Sequence, residues 1–331
     1  MNAQALNYTP KAIDALTLMQ QTTPYAWSAQ GLEYLTSKLR QAQTFVLPEY
    51  GQLLDRNTPR PEVPGLMMKP PFPVVAIEYP APAASAPRQD EWTAAPCSKR
   101  IALAWDHQDD MPVGAPWQDQ RGKLSDGVVV ASVCWYDAYQ AWMPVGAAMH
   151  IPYEGAWRDR NAEIITSAFW RDQVAAGRIS PAQRKAKALT GTLIPVMPEA
   201  MQQLFGQMGT TAAFEVFQAD LMDEVNAYFD MVYALACRNV RAVERPAPKF
   251  LNRQRARKGK PLLKPFHVLE LAGEVMSGGG GIGSDRSGPR DHIRRGHIRR
   301  LAEGRITWVN QTMVHGRGGS VDKVYSVRAG A

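Results

Sequence analysis

The residues with the clearest chemical potential sit close together near the end of the chain, in His292-Ile-Arg-Arg-Gly-His-Ile-Arg-Arg300. This is a tandem His-Ile-Arg-Arg unit hinged on Gly296. Arg294, Arg295, Arg299 and Arg300 offer planar guanidinium forks suited to phosphates or carboxylates. In extended backbone alternate residues share a face. His292, Arg294, Gly296, Ile298 and Arg300 would then lie on one side, and Ile293, Arg295, His297 and Arg299 on the other. Neither face is purely apolar, so hydrophobic burial alone does not explain the pattern. Recognition of an anionic surface would use the arginines, with His292 and His297 shaping it and Gly296 admitting a close backbone approach. Metal-independent RNA cleavage would use His292 and His297 as general acid and base, with the arginines stabilising a phosphorane. A solvated edge hairpin, charged against strand addition, would need no ligand. The pattern favours recognition, so we expect a binding protein more than an enzyme.

Other groups offer less. His292 and His297 face opposite sides of a strand, and no Cys or carboxylate set accompanies them or His315, so no metal is expected. Cys97, Cys134 and Cys237 are odd in number and widely spaced, which fits reduced thiols better than a disulfide framework. The glycine run 278–283 lacks the Lys-Ser/Thr pair of a phosphate loop and reads as a flexible linker; no cofactor is expected. Asp106, Asp109 and Asp110 read as loop charge. No nucleophile elbow or His-Glu-x-x-His helix is present.

The elements that must position these groups follow from periodicity. Lys11 to Met19 and a segment capped by Ser28 read as helices. Prolines 59, 61, 64, 70, 71 and 73 exclude regular structure over 59–73. Val74–Tyr79, Arg100–Asp106 and Gly127–Tyr136 read as strands of an antiparallel meander. Helices are predicted over Asp159–Ala176, Ser180–Leu189, Met197–Met208, Thr211–Val240 and Phe266–Met276. The apolar stripe Phe214, Phe217, Leu221, Val225, Phe229 and Val232 is ordinary core. His292–Arg300 and Arg305–Gln311 form a hairpin, and Ser320–Val327 a possible third strand. The expected fold is α+β: N-terminal helices (1–58), a body with a central, mostly antiparallel sheet packed by helices (74–244), and a basic β-rich C-terminal segment (245–331).

Charge divides the same way. The 331 residues carry 38 Lys+Arg and 31 Asp+Glu, but 18 of the basic and only 6 of the acidic residues lie from Arg245 onward. That end should attract phosphate backbones or an acidic partner. No apolar stretch is long enough for a membrane helix and no secretory leader is evident, so a cytoplasmic location in a bacterial host is expected.

The C-terminal stretch also resembles a family. PLLKPFHVLELAGEVMSG, then RDHIRRGHIRR and RITWVNQTMV, is similar to the C-terminus of one family of phage- and plasmid-borne type V-A anti-CRISPR proteins. The core is His292–His297, with Arg305 to Val309 and Trp308 downstream. Family members often carry an aromatic residue where this chain has Ile298. CSKRIALAWD and DGVVVASVCWYDAY match the family's layout upstream. The likeness covers roughly residues 261–315. It implies lowered amounts of the effector nuclease and its message, dependent on translation, through recognition of the effector's emerging N-terminal peptide. It further implies an extended peptide held on a groove or sheet edge, which we place near Trp135 and Tyr136, and a basic face towards ribosome or mRNA. A general RNA-binding accessory protein is the alternative.

These readings separate on one assay. A binding protein leaves RNA intact when purified and mixed with it. Cleavage that disappears in His297→Ala would establish the nuclease instead.

Overall fold

The computed structural model describes residues 5–54, 68–82, 96–159, 168–177, 187–271, 292–294, 297–300, 306–309 and 312–314. The chain opens with helices α1 (Tyr8–Thr22) and α2 (Ala26–Gln41) and a short strand β1 (Gln43–Val46). Strands β2 (Val74–Pro80) and β3 (Cys97–Asp106), a single-turn helix α3 (Ala115–Gln118), and strands β4 (Gly127–Tyr136) and β5 (Ala141–Pro152) follow. Then come β6 (Trp157–Asp159), α4 (Ala168–Ala175), β7 (Lys187–Leu189) and β8 (Thr192–Pro195). Helices α5 (Pro198–Met208) and α6 (Thr210–Leu235) lead to β9 (Val240–Arg245), α7 (Lys249–Arg257) and β10 (Phe266–Leu271). Four short strands close the described chain: β11 (His292–Arg294), β12 (His297–Arg300), β13 (Ile306–Val309) and β14 (Thr312–Val314).

Eight strands form one sheet in the order β8-β5-β4-β3-β2-β1-β10-β9. Strand β1 runs parallel to both neighbours, and every other pairing is antiparallel. The fold is therefore α+β with a mostly antiparallel sheet, as the pattern predicts. The sheet has helices on both faces, which explains the near-continuous apolar runs of β2, β3 and β4. Val75, Ile77, Ala102, Ala104, Val128 and Val130 pack towards α6. Their alternates Val74, Ala76, Ile101, Leu103, Val129 and Ala131 pack towards α1 and α2. The phenylalanine stripe of α6 is core, although its first member, Phe214, is 38% exposed.

Several expectations need correction. Phe266–Leu271 is a strand, not a helix: it fills the gap between β1 and β9, and pairing on both sides overrides a mixed local pattern. Of the helix expected over Ser180–Leu189 only Lys187–Leu189 is among the described residues, and it is strand β7, paired with β6; of the one expected over Asp159–Ala176, Asp159 ends strand β6 and Ala168–Ala175 is helix. Strand β5 was hidden by Pro144 and Gly146. These residues sit where the β4–β5 register shifts, so the missing N–H of Pro144 falls at an irregularity in the ladder. Helix α7 arises inside the proline-punctuated basic run. The segments before 58 and after 245 each lend a strand to the sheet of the central body.

Ser28 does not cap α2 with its own side chain. The carboxylate of Glu199, on α5, does so from a distance of 171 residues in sequence. Its oxygens accept from the backbone amides of Trp27 and Ser28 at 2.9 Å each and from Ser28 Oγ at 2.6 Å. Burial would raise the Glu199 pKa, but these bonds hold it below the ordinary carboxylate value. The same junction needs Gly31, because a Cβ there would stand 1.9 Å from the carbonyl oxygen of Val196.

The other face is pinned by charge. Arg100 on β3 donates from Nε to Glu224 Oε1 (2.6 Å) and from Nη2 to Glu224 Oε2 (3.0 Å), with Nη1 on Asp223 (3.1 Å). Tyr79 Oη donates to the same Glu224 Oε1 at 2.8 Å. Glu224 is fully buried, and that burial pushes its pKa up while Arg100 opposes the rise. Removing one partner of such a pair leaves a bare buried charge, costing about 3–5 kcal/mol, whereas replacing both with apolar groups is often close to neutral. Arg100→Met should therefore lower stability by about that amount, and Arg100→Met with Glu224→Met should recover most of it. Urea denaturation midpoints check this; a single variant as stable as the parent would show that the pair holds nothing together.

Candidate binding cleft

Glu78 is the acidic residue inside the buried run Val-Val-Ala-Ile-Glu-Tyr of β2, and it is 1% exposed. Its side chain lies on the α1 side of the sheet and meets the start of α1. Thr9 N donates to Glu78 Oε1 at 2.7 Å, and the amides of Tyr8 and Asn7 face the same carboxylate. Helix α1 has no side-chain cap from its own N-cap residue, so Glu78 supplies one through space. Asn7 turns the chain into this position at φ 56°, a left-handed conformation that Asn tolerates better than most residues.

Beside this junction a cleft of about 330 Å³ opens between α1, the end of α2, β1 and the 261–266 segment. Leu6, Ile13, Leu39, Val46, Leu263 and Phe266 give it apolar walls, with Asn7, Thr9 and Glu78 as the polar groups within. Arg40, Arg255, Lys264 and Asp14 also line it. The 261–263 segment is fixed to α7 by a double clamp: Asn252 Nδ2 donates to Leu263 O (3.2 Å) and Leu263 N to Asn252 Oδ1 (2.7 Å). Arg255 Nε donates to Pro261 O at 2.6 Å, and Lys264 Nζ reaches Arg40 O at 2.6 Å. Leu262 remains 60% exposed at the mouth. A small, mainly apolar hollow with a few converging polar groups is the usual form of a ligand site.

Those residues singled out from sequence that the structure describes lie elsewhere. His292 and Arg294 are on β11, opposite Val314 and Thr312 of β14. His297, Ile298, Arg299 and Arg300 are on β12, opposite Val309, Trp308, Thr307 and Ile306 of β13. The pairing register is the same in the two ladders, and β14 lies past Gln311, the expected end of the partner strand. Arg295, Gly296, Arg305 and the segments 278–283 and 320–327 lie outside the described residues. The hairpin meets the body where Thr307 Oγ1 donates to Asn239 Oδ1 at 3.1 Å. Trp135 and Tyr136 are half-buried at the end of β4. Trp135 packs edge-on to Trp142 with Lys99 Nζ 4.5 Å from its ring centre. Strand β4 is paired on both sides, so no free edge is open there.

Other polar groups are held structurally. Asp110 is more than loop charge: it accepts from Lys38 Nζ at 2.5 Å and from Tyr34 Oη at 2.9 Å. His150 Nε2 lies 2.9 Å from Ser125 O, and burial lowers its pKa. Among the described residues no group of three His, Cys, Asp or Glu is placed to hold a metal. Nor is any helix there long and apolar enough to cross a membrane.

No protein family and no curated protein matches the chain. Among solved structures, it is similar to the crystal structure of AcrVA2, with 12% identity over 93% of this chain and 85% of that one, and a TM-score of 0.33.

Burial raises the Glu78 pKa against the pull of the Thr9, Tyr8 and Asn7 amides. An acid raised in the folded state contributes stability that is complete below its unfolded pKa, about 4.3, and is lost as pH climbs through the folded value. Glu78→Gln stays neutral throughout. The variant should therefore gain on the parent as pH rises from about 4 to about 8. Urea midpoints across that range test this, and a gap that stays constant would mean Glu78 ionises without cost.

Proposed function

We propose that this chain is an anti-CRISPR protein of a mobile element, which binds the N-terminal peptide of a type V-A CRISPR effector nuclease during its synthesis and lowers the effector's expression. The observation that carries the binding step is the cleft beside Glu78. Its volume suits one or two side chains, its walls are mainly apolar, and its one buried carboxylate can receive a peptide ammonium or amide group. The resemblance around His292–His297 supports the choice of target. Recognition of an extended chain needs anchor pockets as much as main-chain pairing, and the cleft provides an anchor away from the fully paired strand β4.

A synthetic peptide of the effector's N-terminal residues, titrated beside a scrambled peptide at physiological salt, tests the reading. Saturable binding of the native peptide alone is expected. Leu262→Asp, at an exposed position on the mouth, should weaken it roughly ten-fold or more, about 1.4 kcal/mol, with no change in the unfolding midpoint. Equal or absent binding of the two peptides sinks the mechanism for this protein.

A further inference from the structure

We propose that the outward face of α7, opposite the side that lines the cleft, is a contact surface for single-stranded nucleic acid, distinct from the arginine hairpin. Residues 245–264 contain eight Lys or Arg and no Asp or Glu. On a helix of 100° per residue, the half-buried Leu251, Asn252 and Arg255 point to one side, and two of them are tied to the 261–263 segment. Lys249, Phe250, Arg253 and Arg257 fall on the opposite side, and all four are exposed. Among the described residues no carboxylate pairs with Lys249, Arg253 or Arg257.

Helix stability does not account for this arrangement. Lys249–Arg253 and Arg253–Arg257 are like-charge pairs at i,i+4, which destabilise a helix. Arg257 suits the negative C-terminal end of the helix dipole, but Lys249 sits at the positive end, where an acid belongs. A polyanion turns both costs into gains. The three cations step along the helix by about 6 Å each, of the order of one nucleotide in an extended strand. Phe250, 69% exposed beside them, offers a ring on which a base can stack, which a duplex with paired bases does not allow. One aromatic residue in so polar a helix is too little apolar surface to hold it in a membrane.

The test is fluorescence anisotropy of the full chain with a short labelled oligouridine across a salt series. Oligothymidine and polyglutamate serve as the other probes. Lys249→Gln/Arg253→Gln/Arg257→Gln should flatten the log–log salt slope by about 2, three contacts at about 0.7 each. Phe250→Ala should cost roughly ten-fold in affinity at unchanged slope. Both variants change exposed side chains only, and an unchanged unfolding midpoint confirms that they fold. Binding of oligouridine alone, or of both oligonucleotides, supports the proposal and sets the sugar preference. No binding, a slope indifferent to the triple variant, or polyglutamate bound as tightly with Phe250→Ala silent, overturns it. Each of these outcomes is independent of the peptide titration.

Discussion

A carboxylate shut away from water must be paired, hydrogen-bonded or neutralised, and this architecture is organised around carboxylates in that position. Glu224 has no exposure and is met by the guanidinium of Arg100 and the hydroxyl of Tyr79, which locks α6 across β2 and β3. Asp230, one turn and a half further along the same helix, accepts the amides of Leu53 and Leu54 and so anchors the chain leaving β1. Glu78 does the equivalent on the other face for α1; Glu199, which is only partly buried, holds α2 with the same kind of bonds. Apolar packing alone would let the helices slide over the sheet, since ridges and grooves tolerate shifts. Charges with fixed donor sets do not.

Much of the secondary structure is legible because period and burial agree. Gly127–Tyr136 is apolar almost throughout, as a central strand covered on both faces must be. The helix that became α6 repeats its large side chains at helical spacing. Where the two disagree, the sequence misleads. Pro144 and Gly146 look like the end of an element but mark a shift in register within β5. Phe266–Leu271 has no clean alternation, because His267 is buried against the rings of Phe45 and Phe72 as fully as its neighbours are against theirs.

The cleft was not legible, for a simple reason: its walls come from residues 5–14, 39–46, 78 and 255–266, and no local pattern records that these meet. One signal was available. A glutamate in the midst of Val-Val-Ala-Ile-Glu-Tyr contradicts a buried strand unless something awaits it, and what awaits it is the first turn of α1. The basic C-terminal end was visible as composition. What composition could not divide was which cations are spent on the fold, as Arg245 is on Glu270 and Arg255 on a carbonyl, and which are left facing outward.

Strand β1 pairs with β2 on one side and with β10 on the other, so Thr44 lies beside Phe266. That single adjacency sets an order of events at the ribosome. A chain emerging from its N-terminus can build β2 to β5 and dock its first helices early, but one side of β1 stays open until the strand at 266–271 has been made. Contacts of such sequence separation form late and slowly. The ligand-sized hollow shares that schedule, because its far wall is the segment immediately preceding β10. Neither half of the chain possesses it, and the hollow is complete only once residues 261–266 have been made and docked.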